Sequence, residues 1–256
     1  MKKLAKTFTT NNYLIFTLGI IFVFGLWFIL SFSIGKNNLY FPSPIETIQE
    51  VGVLLRKKYI YESIGWTLLR TLIGFGVSFI CAMVLGIISG NVKFIKTFLK
   101  PLITVLKSIP TAALVFLFLV ISGSKNAPIY IVFLLSFPIL YEAFVGGIES
   151  IPVEVLDALR IDSNRKLMSL LKVKVPLAFP YVIVGLASSF ALSLKTEVMA
   201  EIITGGTDAG LGCAIRVYRN DDPTNLTPVF AISLIIIVFV LIVDLVGLIV
   251  KKRFEK

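Results

Sequence analysis

Six apolar stretches, each about as long as a bilayer is thick, limit the fold of this chain more than any other feature. Five of them contain no charged residue, and the sixth, 126–147, is interrupted only by Glu142. At about 1.5 Å per residue in a helix, stretches of these lengths cross or nearly cross about 30 Å of hydrocarbon. The five uncharged stretches are Thr7–Gly35, Thr71–Val92, Ser108–Ser124, Val175–Leu194 and Pro223–Val243.

The chain is therefore predicted to be an all-α integral membrane protein with six transmembrane helices. In lipid only helices and closed barrels satisfy every backbone polar group, and runs such as IIFVFGLWFIL lack the alternation of a barrel strand. The composition agrees, because 57% of the residues are hydrophobic and only 16% are charged. The predicted spans lie near 13–35, 66–90, 101–122, 127–147, 176–203 and 226–250, in a single domain covering 1–256.

The positions of the basic residues predict the orientation of the chain in the membrane. The net charge is +10, but fifteen Lys and Arg fall in the termini and the loops on their side, and seven fall in the opposite loops. This excess favours both termini in the cytoplasm of a multi-pass protein of the cell (cytoplasmic or inner) membrane. The cluster Arg56-Lys57-Lys58, on the outer side, is an exception. The positions of the basic residues fit a role in membrane orientation, so the net positive charge does not predict a nucleic-acid partner.

Residue types needed for enzyme chemistry are scarce. The chain has no His, which argues against a His metal site. Cys81 lies in a predicted span and Cys213 lies beyond the fifth, so no disulfide framework is predicted. Gly123-Ser124-Lys125 lacks the preceding glycine of a phosphate-binding loop. No catalytic residue, metal or cofactor is therefore predicted in this chain, and an integral-membrane enzyme is a poor alternative.

The segment between the fourth and fifth predicted spans, 148–174, carries nine charged residues and must lie outside the hydrocarbon. Glu154 and Asp157 occur where the dipole at the start of a helix favours acidic side chains. Asp162-Ser163-Asn164 is typical of a turn, and a second short helix is expected to end before Pro176. The segment is predicted to form a cytoplasmic helix–turn–helix.

The same segment resembles the EAA loop of permeases in bacterial binding-protein-dependent ABC importers. That loop has Glu-Ala-Ala, three residues, Gly, nine residues, and then an aliphatic residue, any residue, Leu and Pro. The spacing is kept, whereas Asp replaces Glu, Leu replaces the second Ala, and Ser replaces the turn glycine. The matching residues are Asp157, Ala158, Leu159, Ser163, Val173, Val175 and Pro176.

Short matches in the rest of the chain resemble the nitrate, sulfonate and taurine branch of that family. They occur in order along almost the whole length, and Leu114 is a departure, since many relatives have Pro there. The matches include Phe41-Pro42-Ser43-Pro44, Thr67 with Arg70 and Gly74, Phe137-Pro138-Ile139, Ala200-Glu201 and Gly210-Leu211-Gly212.

The resemblance implies the membrane-spanning permease of a type I ABC importer, with a coupling helix between its fourth and fifth spans. Such a permease moves a small solute into the cell by alternating access, and the implied solute is a nitrate-, sulfonate- or taurine-like anion or a vitamin precursor. The implied partners are membrane lipid, an extracytoplasmic substrate-binding protein, a second permease copy (a homodimer is favoured) and two ATPase subunits that bind ATP and Mg. The residues implied in coupling to the ATPase are Glu154, Asp157, Ala158, Leu159, Ser163, Arg165 and Pro176. A secondary transporter driven by an ion gradient is the alternative, although no convincing internal repeat is visible.

Ionisable residues at membrane depth are candidates for a solute path, because they are costly beside lipid. Glu197 and Glu201 lie four residues apart on one helix face, and Lys195 lies near the outer interface. In one interpretation these side chains line a path or gate between two permease copies. In the other, Lys195 reaches water by snorkelling, Glu197 sits among lipid headgroups and Glu201 contacts a neighbouring loop. The candidate path residues are Pro110, Lys195, Glu197, Glu201 and Gly210.

Overall fold

Helices make up nearly all of the part of the chain that the structure, a computed structural model, describes: residues 2–34, 41–162, 170–205 and 209–254. This confirms the all-α prediction. The helices are α1 (Lys2–Ile34), α2 (Pro44–Leu54), α3 (Lys58–Asn91), α4 (Lys93–Ser108), α5 (Thr111–Glu149), α6 (Val153–Asp162), α7 (Val175–Thr204), α8 (Leu211–Asp221) and α9 (Thr227–Phe254).

Five segments of the described chain are long and apolar enough to cross a membrane: Ile15–Ser33, Lys58–Asn91, Thr111–Glu149, Lys172–Thr204 and Thr227–Val250. The predicted span 101–122 is wrong as a single helix, because the chain is extended at Ile109 and Pro110, between α4 and α5. Proline lacks the N–H of a continuing helix and disfavours helical geometry in the residue before it.

The helix α5 changes direction at Gly123, whose φ of 73° and ψ of 166° are not helical. The rings of Phe118 and Tyr130 stack with centroids 5.6 Å apart, whereas twelve residues of straight helix would separate them by about 18 Å. Glycine adopts this positive φ without the steric cost of a side chain. We call residues 111–122 the first arm and residues 124–149 the second arm of α5, and the two arms fold back on each other.

Contacts divide the chain into two units, 1–58 with 215–235 and 59–214 with 236–256, and the single-domain expectation stays a prediction. The first unit is held by aromatic contacts, among them an edge-to-face pair between Phe41 and Phe230. In the same unit, Trp27 donates from Nε1 to the carbonyl oxygen of Pro42 at 3.1 Å. A capping box of Ser43 and Glu46 starts α2.

A turn in the first unit precedes α9. Asp222 accepts hydrogen bonds through Oδ1 from the hydroxyl of Thr224 at 2.6 Å and from the backbone N–H groups of Thr224 and Asn225. The side-chain bond from Thr224 is the main reason why the pKa of Asp222 lies below its usual value. The stabilisation is therefore present when the carboxyl is ionised and is lost as the pH falls through that pKa.

The second unit is built around the second arm of α5. Going along α3, Gly74 lies against Val132, Gly86 against Phe144 and Gly90 against Ile148, so α3 and the second arm run parallel and in close contact.

The helix α7 runs antiparallel to the second arm, with Gly146 against Tyr181 and Ser136 hydrogen-bonded to Ser193 at 2.6 Å. The beginning of α3 and the end of α7 therefore lie together at what we call the Glu201 end. The opposite end, where the second arm finishes and α7 begins, is the Glu149 end.

Substitution of Gly86 by Ala is expected to loosen the α3 contact. The added Cβ would lie 2.6 Å from Cβ of Phe144, whereas nothing lies within 4 Å of a Cβ at Gly76 on the same helix. We expect Gly86→Ala to lower stability by about 1–3 kcal/mol, which a thermal melt of the detergent-purified protein would show as a lower midpoint. Gly76→Ala is the matched control. Equal midpoints for the two variants would contradict this packing.

Candidate functional site

Charged and polar side chains at the Glu201 end form a closed network inside the second unit. Glu201 is fully buried and Arg70 is 6% exposed, and their Nη1–Oε1 distance is 3.0 Å. The hydroxyl of Thr67 lies 2.9 Å from Oε2 of Glu201, and Arg70 also donates to the carbonyl oxygen of Ala209 at 2.8 Å. The network joins α3, α7 and the loop between α7 and α8.

The start of α8 supplies two further donors to this network. The N–H of Gly212 donates to Oε2 of Glu201 at 2.9 Å, and the N–H of Leu211 donates to Oγ1 of Thr67 at 2.8 Å. These N–H groups belong to the first turn of a helix, which leaves them without helical partners. Gly210 has a φ of 154°, and any Cβ there would collide with the Glu201 carboxylate. A glycine is therefore required beside the carboxylate.

The second carboxylate, Glu197, lies one turn earlier on α7 and is also fully buried. Neither of its oxygens has a hydrogen-bond partner within the described part of the chain. Both carboxylates thus point into the unit. Glu201 contacts the neighbouring loop at Gly210, as the structural alternative expected, whereas the placement of Glu197 among lipid headgroups is wrong, because its side chain is fully buried in protein.

The remaining path candidates lie apart from these carboxylates. Lys195 is exposed, and on α7 its side chain starts about 200° around the helix from that of Glu197. Pro110 is exposed at the break between α4 and α5. The structure therefore brings Glu197, Glu201 and Gly210 together and separates the other two. The assignment of all five to a solute path stays a prediction.

A charged pair that the sequence analysis did not assign to a site lies on the exposed side of the second arm. Lys107 of α4 donates to both carboxylate oxygens of Glu142 at 2.8 Å, and the two side chains are 47% and 51% exposed. The available sequence signals were Glu142, which interrupts an otherwise uncharged stretch, and Lys107, which lies inside the predicted span 101–122.

Two clefts open beside this pair. The α7 cleft, of about 580 Å³, lies between the second arm and α7 and is lined by residues that include Glu142, Tyr181 and Ser188. The α4 cleft, of about 760 Å³, lies between α4 and the second arm and is lined by residues that include Glu142, Lys96 and Lys100. Glu142 lines both clefts. We call the exposed polar side chains around it, Lys96, Lys100, Lys107 and Ser188, together with Glu142, the polar face.

The coupling residues implied by the sequence lie on or beside α6 at the Glu149 end. Glu154, Asp157 and Ala158 are exposed on α6, and Leu159 is half-buried. Ser163 and Arg165 lie outside the described residues.

The expectation that a second short helix ends before Pro176 is wrong for the part described. A π-helical segment, Leu170–Lys174, continues directly into α7. Pro176 lies in the first turn of α7, where the missing N–H of proline has no helical partner to lose.

Comparison with protein families identifies the chain. The family of binding-protein-dependent transport system inner membrane components matches residues 82–256, which is more than half of the sequence. The chain therefore belongs to this family, as its resemblance to ABC importer permeases predicted. It is the membrane-spanning permease subunit of an ABC importer, and ATP hydrolysis in such a system takes place on a separate subunit.

Curated relatives and a solved structure agree with this assignment. The nitrate import permease protein NrtB of Leptolyngbya laminosa is 28% identical over 239 residues, covering 89% of this chain and 83% of its own. The bicarbonate transport system permease protein CmpB of Synechococcus elongatus is 28% identical over 198 residues, covering 73% and 70%. The crystal structure of an amino acid ABC transporter with histidines has the same fold, with a TM-score of 0.66 at 16% identity, over 82% of this chain and 97% of that one.

Removal of one partner from the buried pair is expected to be costly. Arg70→Met leaves Glu201 buried without its cation, which costs about 3–5 kcal/mol. Breaking the exposed pair by Lys96→Met is the control, because Lys96 and Glu149 are 43% and 46% exposed and such pairs contribute about 0.2–1 kcal/mol. The measurement is thermal stability of the purified protein, and similar losses for the two variants would contradict the buried network.

Proposed function

We propose that this permease carries a small oxyanion into the cell along the polar face formed by the α4 and α7 clefts. The observation that carries the proposal is the exposed Lys107–Glu142 pair. The second arm is about 39 Å long at 1.5 Å per residue, so an arm centred in about 30 Å of hydrocarbon places Glu142 inside the hydrocarbon. A half-exposed ion pair at that depth is costly beside lipid, whereas a wet path between two permease copies solvates it.

This location refines the path expected from the sequence. Glu197 and Glu201 are fully buried within one chain, which favours a structural role at the Glu201 end. Lys107, Glu142 and Ser188 are exposed on one polar face and are better placed to meet solute. The second copy in this proposal is another copy of the same chain, so that two such faces enclose the path.

The proposed class of solute follows from the relatives. The names of two of them give nitrate and bicarbonate as their cargo, and both ions are small, planar oxyanions. An extracytoplasmic binding protein would deliver the anion to the Glu201 end, and the anion would leave at the Glu149 end.

Energy for transport would come from two ATPase subunits that bind ATP and Mg. Their proposed docking element is α6, because Glu154, Asp157 and Ala158 are exposed beside the end of the second arm. Motion of α6 would reach the path directly, since α6 follows the second arm and precedes α7, and these two helices form the α7 cleft.

The proposed topology has six spans. The first arm of α5, together with part of α4, would form the third span, and the second arm would form the fourth, because the chain reverses at Gly123. The third span would then contain the Pro110 break. Both termini would be cytoplasmic, together with the Glu149 end.

The function is tested by uptake of radiolabelled bicarbonate and of nitrate into proteoliposomes that contain the permease, its ATPase and its binding protein. We expect uptake of at least one of these anions, and at least about tenfold slower uptake when Lys107 and Glu142 are both changed to Leu, because the path then loses its solvated charges. Lys125→Gln, an exposed lysine beside the bend in α5, is the control.

Two outcomes would contradict parts of this proposal. If Lys107 and Glu142 face lipid, the variant with Leu at both positions will take up the anion at the wild-type rate. Absence of ATP-dependent uptake of either anion by the wild-type complex would exclude the proposed solutes.

Orientation is tested by thiol labelling of intact cells with an impermeant reagent. In protein lacking Cys81 and Cys213, we expect a cysteine at Asn220 to react and a cysteine at Glu154 to remain unlabelled until the cells are opened. Both positions are exposed in the structure, so a difference in labelling reports the side of the membrane. The reverse pattern would invert the topology.

A further inference from the structure

The helix α4 has two faces of opposite character. Four lysines at positions 93, 96, 100 and 107 fall within about 60° of one another around the helix axis at 100° per residue. On the other side, Phe94 and Phe98 are 78% and 72% exposed and stack on each other. The basic face lines the α4 cleft, and the aromatic face lies away from it.

Positive charge exceeds negative charge on the basic face. Lys96 is paired with Glu149 at 2.6 Å, and Lys107 is paired with Glu142 at 2.8 Å. Lys93 and Lys100 also line the cleft, and neither has an acidic partner among the residues that the structure describes. The two carboxylates of the cleft are thus neutralised, and two ammonium groups are left over.

We propose that the α4 cleft is an oxyanion-binding site in which Lys93 and Lys100 hold the anion. Ammonium groups bind oxyanions as compact charges with several donors, so the site fits a carbonate-, nitrate-, sulfonate- or phosphate-type group. The proposal deepens the proposed function, on which it rests for the solute class, by giving the anion a binding site at the Glu149 end. The phosphate of an anionic lipid headgroup has the same chemistry, and the exposed aromatic face of α4 suits contact with acyl chains.

This site is tested by measuring anion binding at equilibrium, without transport or ATP hydrolysis. The probe is radiolabelled sulfate in equilibrium dialysis against the delipidated permease–ATPase complex, at constant ionic strength. We expect Lys100→Gln and Lys93→Gln each to raise the Kd by about tenfold or more, because each removes a charge-assisted hydrogen bond. Lys100→Arg should retain binding, and Lys125→Gln, which is remote from the cleft, should match the wild type.

A second measurement identifies whether the bound anion is a free solute or a lipid headgroup. Native mass spectrometry of complexes purified from phosphatidylglycerol nanodiscs measures retained lipid in the same variants. Loss of retained lipid on Lys93→Gln and Lys100→Gln, with no sulfate bound by the wild type, assigns the site to a headgroup. Sulfate binding that depends on these lysines assigns it to free solute.

The site is overturned if neither sulfate binding nor lipid retention differs between these variants and Lys125→Gln. Its failure is distinguishable from failure of the proposed function, because ATP-dependent uptake by the wild-type complex is measured separately and does not require that an anion be held at Lys93 and Lys100 at equilibrium. Size-exclusion profiles of the variants establish that each complex is assembled before binding is compared.

Discussion

The cost of an ionised side chain at membrane depth determines how this chain is organised. The structure meets that cost in two ways. At the Glu201 end, Arg70 and Glu201 are buried together. Thr67 and the first turn of α8 donate further hydrogen bonds to Glu201, and Arg70 also donates to the carbonyl oxygen of Ala209. On the other side of the second unit, Lys107 and Glu142 pair but stay half-exposed, which requires water or a protein partner in place of lipid.

The second arm of α5 therefore has two kinds of neighbour: a closely packed helix on one side and open clefts on the others. Toward α3 it packs through glycines at backbone distance, which leaves no room for solvent. Toward α4 it borders a cleft lined by several lysines and by Glu142 and Glu149, and toward α7 a cleft in which Glu142 and Ser188 lie among mostly apolar residues. The closely packed side can move as a rigid body, and the polar face is the side along which the solute is proposed to pass. The position of α6, directly after the second arm, connects that body to the place where an ATPase is proposed to act.

Much of the fold was predictable because the bilayer imposes it on the sequence. Lengths of uncharged stretches located the helices that became α1, α3, α7 and α9, and the placement of the charged segment 148–174 outside the hydrocarbon stays a prediction. The fold-back at Gly123 was not predicted, since it depends on one backbone conformation. The partners of Glu201 were also out of reach, because Arg70 lies 131 residues away and no local pattern links them. The Lys107–Glu142 pair was missed for the same reason: each residue alone looked like an interruption of an apolar stretch.

In the assembled transporter, the polar face is proposed to border water. The most direct measurement is the reaction rate of a charged thiol reagent with single cysteines in the reconstituted complex, on a background lacking Cys81 and Cys213. Ser188→Cys lies in the α7 cleft near the middle of α7, and Ile80→Cys lies on the apolar side of α3, where Ile80 is 58% exposed. If the polar face borders water, reaction at position 188 is expected to be at least about tenfold faster than at position 80, because the reagent requires water. Equal rates, or no reaction at position 188 in any nucleotide state of the ATPase, would contradict it.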